Sequence, residues 1–422
     1  MRITIINQFY PPDISPTAKL AASLANHRAA LGDSVTVIAG QGYVSETAAG
    51  ESSGDENVRI QRVWIPKLGK KGLWRRCFAS FMFFALSTWQ ALRLPRQDVV
   101  ICLTTPPFIL GVGAIHKLLH RRTRLILWNM DCYPEVAERV GVIATGGVAA
   151  RLLQALNLSL SAWLDGVVCL DEAMRQLVLT RPGTESSRLP ASVIPNWEPL
   201  VLFPWQTKDE ENFHEPESQS SGLPTASDFT VLYTGNMGHG HCFETMIEAA
   251  QRLSDQNADA RFTITGGGVK LPKVRQEAQQ RDLKNIELLG YVSIEKLRAL
   301  QSTASCSLIT LRDDMLGVMS PSKLHASLAM GLPIIYVGPR GSNADEAIRR
   351  FGCGVSLRHG DVDGFVDFVH ELNENQLARA AYRARSRAAF ETAYCDQRVL
   401  PKFDRVIESI IGSQLAPVRK AA

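Results

Sequence analysis

Residues 320–338, SPSKLHASLAMGLPIIYVG, predict a capped helix that feeds a buried strand. Ser320 is a good N-cap and Pro321 suits the first helical position. Gly331 followed by Pro333 stops the helix before the apolar run Ile334–Val337. The first N–H groups of a helix have no intrahelical partners and carry the positive end of its dipole, so Lys323 beside them adds a cation where a phosphate could sit. Two readings stand at this point. One is a diphosphate seat at the helix start, with Lys323 as its cation. The other is an ordinary α/β helix with a solvated lysine.

Working outward, short β-branched runs alternate with longer helical patterns, which is the signature of parallel sheets with crossover helices. The predicted strands of the first half are 2–7, 35–39, 58–64, 99–103, 124–128, 166–170 and 192–194. A helix from Ser15-Pro16 to Leu31-Gly32 uses the same start and stop grammar. Residues 206–228 then carry six acids, one lysine and many Ser, Pro and Gly, and read as an exposed linker or insertion. After it the rhythm restarts, with strands at 229–234, 261–265, 286–288, 306–309 and 333–337 and a terminal helix pair over 394–411. A chain of 422 residues exceeds one core. The expected organisation is an N-terminal domain over 1–200, a linker over 201–228, a C-terminal domain over 229–393, and closing helices over 394–422 that cross back to the first domain. Two doubly wound parallel sheets bind ligands at the carboxyl ends of their strands, so a cleft between those edges is expected.

Eight scattered cysteines with no C-x-x-C pair argue against a disulfide framework or zinc knuckle and for a reducing cytosol. The apolar run after Met1-Arg2 is too short for a signal peptide, and no segment predicts a membrane span. The formal charge of +4 hides an asymmetry: residues 57–130 hold thirteen Lys and Arg against the single acid Asp98, leaving the rest net negative. Lys70, Lys71, Trp74, Arg75 and Arg76 introduce Cys77–Leu92, sixteen residues without a charge and rich in aromatics. Cations beside an aromatic helix suit the surface of an anionic membrane, as does a helix buried in its own domain with its cations solvated. No nucleic-acid module accompanies the cations, so nucleic acid is not expected as a partner.

Neither half offers G-x-G-x-x-G after its first strand, which argues against NAD or flavin. Gly235-Asn236-Met237-Gly238 and Gly266-Gly267-Gly268 still follow two strands of the second half, and glycine lets backbone approach a ligand or merely close a tight turn. Together with Ser320–Lys323 they favour a nucleotide diphosphate. His116 and His120 share a helical face with no third ligand, so no metal site is expected. In the first half Tyr10, Ser15, Thr17 and Lys19 lie in and after the loop behind the first strand. Asn129, Asp131 and Glu135 follow the fifth, and Thr104-Thr105-Pro106-Pro107 the fourth. A carboxylate such as Asp131 could take a proton from an acceptor hydroxyl, or cap a turn.

The pieces FYPPDISPTAKLAASLANHRAALGDSVTVI, TTPPF, WNMDCYPEVA, VIPNW, LYTGNMG, ITGGG, LLGYV and SPSKLHASLAMGLPIIYVG, in this order, resemble the family 4 glycosyltransferases of the GT-B fold, in the subgroup that builds bacterial capsule, O-antigen and colanic-acid-type polysaccharides. The resemblance spans nearly the whole chain. It implies two Rossmann-like domains facing a cleft, a UDP- or GDP-linked sugar held by the second, an acceptor held by the first, and no required metal or other cofactor. Carried over, Gly235, Asn236, Gly238, Gly266 and Gly267 approach the donor, Tyr291 and Val292 lie near the base, and Ser320, Ser322, Lys323 and Leu324 hold the diphosphate. Tyr10, Ser15, Thr17, Lys19, Asn129, Asp131 and Glu135 face the acceptor, with Asp131 and Lys323 carrying the chemistry. Acceptors in this subgroup are often saccharides on polyprenyl diphosphate, which places the protein at the inner face of the cytoplasmic membrane. Many members carry a Glu-x7-Glu pair where this chain has Val318 and Ala326, so the usual ribose contact is missing and a retaining outcome is inherited from the family alone. A sugar-nucleotide epimerase of the same fold and a non-catalytic membrane-docking partner are the alternative readings.

Overall fold

The computed structural model describes residues 1–13, 15–41, 58–66, 73–181, 189–204 and 229–412. The 206–228 linker and the cations Lys70 and Lys71 lie outside the described residues. The chain forms two units, one of Met1–Asn196 with Gly317–Ser320 and the chain from Val399 on, the other of Trp197–Leu316 and Pro321–Arg398.

In the first unit the strands are β1 (Arg2–Ile6), β2 (Ser34–Gly40), β3 (Val58–Val63), β4 (Val99–Cys102), β5 (Arg124–Asn129), β6 (Gly166–Cys169) and β7 (Ala191–Val193). They form one parallel sheet in the order β3-β2-β1-β4-β5-β6-β7. The central strands are buried on both faces, which is why they read as continuous apolar runs. The crossovers are α1 (Pro16–Ala30), α2 (Leu73–Arg93), α3 (Leu110–Leu119), α4 (Glu135–Arg139), α5 (Val148–Ser161) and α6 (Glu172–Leu179). Strand order reverses between β1 and β4, and there the loops that follow them meet: Gln8 N donates to Thr105 O at 2.9 Å. That is the topological switch point, where open α/β sheets bind ligands.

The second unit repeats the plan with β8 (Phe229–Thr234), β9 (Ala260–Thr265), β10 (Ile286–Gly290), β11 (Cys306–Thr310), β12 (Ile334–Val337) and β13 (Gly354–Leu357), parallel and ordered β10-β9-β8-β11-β12-β13. Its switch point lies between β8 and β11. The helices are α7 (Glu244–Asp255), α8 (Leu271–Gln280), α9 (Ile294–Thr303), α10 (Lys323–Ala329), α11 (Asn343–Phe351), α12 (Val362–Glu374), α13 (Gln376–Ala389) and α14 (Asp396–Gly412), the last counted with the first unit from Val399 on. Phe229, Tyr233, Phe262, Phe365 and Val369 centre the core between sheet and helices.

Three elements differ from the sequence reading. β13 is absent from the predicted strands because it is a four-residue edge strand, half-buried over most of its length, with no apolar run to announce it. The predicted terminal pair is a π-helical turn, Phe390–Tyr394, followed by the single helix α14. Phe403, Ile407 and Ile410 bury one stripe of that helix and carry it through Pro401. Phe403 stacks edge-on against Trp128 at 4.7 Å, and Arg28 of α1 donates to Asp404 at 2.7 Å. The helix predicted from Ser320 starts at Lys323, with Ser322 as its cap residue in a helical conformation and no side-chain cap bond. Ser320 does not cap it. It belongs to the strip Gly317–Ser320 counted with the first unit, where Met319 bridges Asp131 in antiparallel fashion.

Candidate functional site

In the second unit the glycine turns after β8 and β9 are zipped together by backbone. Gly235 N donates to Thr265 O at 2.9 Å, Met237 N to Gly267 O at 2.6 Å, and Gly266 N to Gly290 O at 2.6 Å. Gly266 adopts φ 124°, and a Cβ there would stand 2.1 Å from Gly235 O, so only glycine lets the two turns close this tightly. Gly235 and Asn236 are left exposed at the sheet's carboxyl edge, and Tyr291 lies over Gly267 with 79% of its surface exposed.

Lys323 comes to the same edge from α10. Its Nζ is 3.1 Å from His241 Nε2 and 4.8 Å from the centroid of the Tyr233 ring, and Gly235 leaves room for its stem, since a Cβ there would meet Cε at 3.3 Å. Burial pushes the ammonium down to about 7 and the His241 imidazolium down to about 3. α10 is held in place by Leu324 and Leu328 in the core and by Ser327 Oγ, 2.7 Å from Ser307 Oγ of β11. Leu324 is fully buried, so its side chain packs into the core.

The first unit gathers the other predicted residues around the ends of β1, β4 and β5. Thr104 Oγ1 accepts from Met130 N and Asp131 N at 3.2 Å each, and Asn129 donates to Cys132 Sγ at 3.1 Å, which fixes the Asp131 loop. Cys132 N donates to Val318 O at 2.8 Å, and Val318, one of the two departures from the glutamate pair, is fully buried. Burial pushes the Asp131 carboxyl up to about 6. Burial and then the Asp131 charge push Tyr133 up to about 12. A cavity of about 30 Å³ opens beside them, with Phe108, Ile109 and Leu160 on its apolar side and Asp131, Tyr133 and Arg181 at its polar end.

Glu135 is paired with Arg181. Arg181 grips it with two hydrogen bonds, Nε to Oε1 at 2.8 Å and Nη2 to Oε2 at 2.9 Å, and both side chains are largely shielded. A carboxylate held this way orients the loop and is not a free base. Tyr10 is buried, 3% exposed, with Arg62 over its ring at 5.7 Å and donating to Tyr10 O at 3.3 Å. Ser15 occupies the N-cap of α1 without capping it, its hydroxyl lying 2.9 Å from Thr17 Oγ1, and Lys19 points to solvent.

Family models match both units: residues 17–197 match the glycosyl transferase 4-like domain and residues 228–375 the glycosyl transferases group 1 domain. The chain belongs to the family 4 glycosyltransferases of the GT-B fold. This transferase is 25% identical over 402 residues to WcaI of Escherichia coli (strain K12), a protein named for colanic acid biosynthesis, covering 90% of this chain and 95% of that one. In fold it is similar to sucrose-phosphate synthase from Thermosynechococcus elongatus, with TM-score 0.72 and 12% identity over 98% of this chain and 100% of that one. It is likewise similar to Anabaena HepE solved with UDP-glucose, with TM-score 0.67 and 12% identity over 97% and 100%.

Sequence reasoning missed His241, Tyr233 and Arg181 in the transferase. His241 stands just after the quoted LYTGNMG run, but a histidine seven residues past a strand carries no signal until the fold sets it against Thr310 and Lys323. Among the described residues no group of three His, Cys, Asp or Glu side chains could hold a metal ion; His116 is buried and its Nδ1 donates to Ala91 O at 2.9 Å.

Proposed function

We propose that the transferase moves a sugar from a UDP- or GDP-linked donor to a saccharide carried on polyprenyl diphosphate, at the inner face of the cytoplasmic membrane and in surface-polysaccharide assembly, without a metal ion or other cofactor. The observation that carries the donor half is the Lys323 amine at the mouth of the zipped glycine turns, on the carboxyl edge of the second sheet. A leaving nucleoside diphosphate gains negative charge as the glycosidic bond breaks, and a cation fixed where that charge develops lowers the barrier. The exposed Tyr291 offers a ring face to a base. Asp131, whose carboxyl is raised into the range where a proton is easily exchanged, is the group to orient or deprotonate the acceptor hydroxyl. The relative named for colanic acid biosynthesis supports the polysaccharide role.

The experiment is turnover of a panel of UDP- and GDP-sugars with and without a polyprenyl-diphosphate saccharide. Product requires both substrates if the reading holds. Donor turnover that needs no acceptor would sink it and point to an epimerase.

The lipid half rests on α2. No helix among the described residues is long and apolar enough to cross a membrane. Instead α2 buries Ala79, Phe83, Ser87 and Ala91 and exposes the opposite stripe, with Trp74 66%, Phe78 44%, Phe81 64% and Trp89 47% open to solvent. Arg75 and Arg93 lie over Trp74 and Trp89 at 5.7 and 3.4 Å from the ring centroids. Helix α5, which packs like α2 against α3, exposes Val148 and Leu152 as well. An aromatic stripe edged by cations lies in the headgroup boundary of an anionic bilayer. The double variant Phe78→Ser, Phe81→Ser is expected to lose at least about tenfold in binding to phosphatidylglycerol vesicles, since each ring buried in lipid contributes about 1.5–3 kcal/mol. Sedimentation equal to wild type would refute membrane contact through α2.

A further inference from the structure

We infer that His241 is the positioning residue for Lys323: its ring presents one fixed lone pair that holds the lysine amine at the glycine turns, and the amine gains a proton together with the diphosphate it receives. This rests on the reading that Lys323 receives a diphosphate.

The tautomer follows from the partners. His241 Nδ1 lies 2.7 Å from Thr310 O, a carbonyl that can only accept, so Nδ1 carries the hydrogen and Nε2 is a bare lone pair. That lone pair is 3.1 Å from Lys323 Nζ, which must therefore be the donor. The ring cannot turn away. It is 5% exposed, Thr310 at the end of β11 holds one side, and Tyr233 and Phe243 flank it at centroid distances of 6.0 and 6.4 Å. The switch point between β8 and β11 is thus bridged by an imidazole whose free nitrogen faces α10.

The surroundings of the amine are neutral. Tyr233 from β8 offers a ring face and His241 a lone pair, and among the described residues no carboxylate stands within ion-pair distance of Lys323. Arg312 and Asp314, which follow β11, pair with each other at 2.5 Å. Tyr336 of β12 gives its hydroxyl to Pro339 O, and His325 of α10 keeps its Nδ1 on Ser322 O at 3.2 Å. Burial without a counter-charge lowers the ammonium to about 7, while His241, lowered to about 3, stays a neutral acceptor at every working pH. A bound diphosphate supplies the missing counter-charge and raises the amine, so binding at neutral pH draws in a proton. The sign follows from linkage: uptake is small well below pH 7, where the free amine is already charged, and rises toward one proton above it.

Two measurements test this. In the ligand-free protein, competitive acetylation followed by peptide mass spectrometry across pH 5–10 reads each amine separately. Lys323 is expected to titrate at least about two units below the ordinary lysine value of about 10.4. His241→Leu is expected to move that titration, and His241→Gln, whose Oε1 replaces the Nε2 lone pair, to restore it. Titration of Lys323 at the ordinary lysine value, or no change in His241→Leu, overturns the inference. In the second measurement, calorimetry with UDP and GDP at pH 7 in two buffers of different ionisation heat is expected to read uptake of about half a proton in wild type and none in Lys323→Met. His241→Leu should bind about tenfold more weakly and His241→Gln close to wild type, as expected for one lost and one replaced hydrogen bond. Binding without proton uptake overturns the inference. If neither nucleotide binds wild type, the diphosphate reading fails, and the acetylation series still decides whether His241 holds Lys323. Melting curves of both His241 variants show that they are folded.

Discussion

Turnover of the nucleotide sugar falls by about 10²–10³-fold in Lys323→Met, the loss expected when one group that stabilises developing charge is removed from a shielded site. Methionine has nearly the length of the lysine stem and keeps contact with Gly235 and the Tyr233 ring, so packing is retained while the cation is lost. The change leaves no charge stranded, because the amine has no carboxylate partner among the described residues. It also removes a buried amine whose charged form is disfavoured, so the melting temperature is expected to hold or rise slightly. The informative reading is therefore kcat/KM at unchanged stability. Turnover within about threefold of wild type would remove Lys323 from the reaction, because a group meeting the leaving diphosphate cannot be lost so cheaply.

Gly266→Ala is expected to melt at least about 4 °C below wild type. The residue sits at φ 124°, a region that costs a side-chain-bearing residue about 1–3 kcal/mol, and its new methyl would fall 2.1 Å from Gly235 O and 2.7 Å from Gly235 C. Neither turn can step aside. Gly235 N is bound to Thr265 O and Gly266 N to Gly290 O, so relief on one side breaks a bond on the other. Overpacking against fixed backbone adds about 1–3 kcal/mol more. Gly267→Ala is the control. Its methyl would meet the Tyr291 ring at 2.7 Å, and that ring is exposed and free to swing, so the change should cost little stability while disturbing whatever lies against Tyr291. Equal melting of the two variants would show that the zipped turns are looser than this geometry.

Much of this was legible in the residues because the signals were local. Strands buried on both faces announce themselves as apolar runs, and Ser15-Pro16 with Leu31-Gly32 brackets α1, Gly32 taking φ 87° at its end. The glycine turns and Lys323 stood out in the sequence for the same local reason, and the fold brings them to one edge of the second sheet. Errors arose where a local rule met a nonlocal competitor. Ser320 satisfies every local requirement of a cap, yet its neighbour Met319 is drawn into a bridge with Asp131, and the helix begins three residues later. Glu135 looks like a free carboxylate until Arg181, forty-six positions away, closes on it. The pair of helices expected over 394–411 is one helix from Asp396 through Pro401, because the stripe Phe403, Ile407 and Ile410 is buried.

The sequence by itself determined that this chain builds two parallel α/β sheets and that glycine turns and a helix-start lysine stand at the strand ends of the second, because periodicity, capping grammar and glycine placement act over a few residues. Tertiary structure alone decided the strand order, and with it the switch point at which β8 and β11 bring Tyr233, His241 and Lys323 together. It also decided the charge states. Asp131 near 6 and Lys323 near 7 owe their shifts to burial, and burial is made by segments far away in the chain.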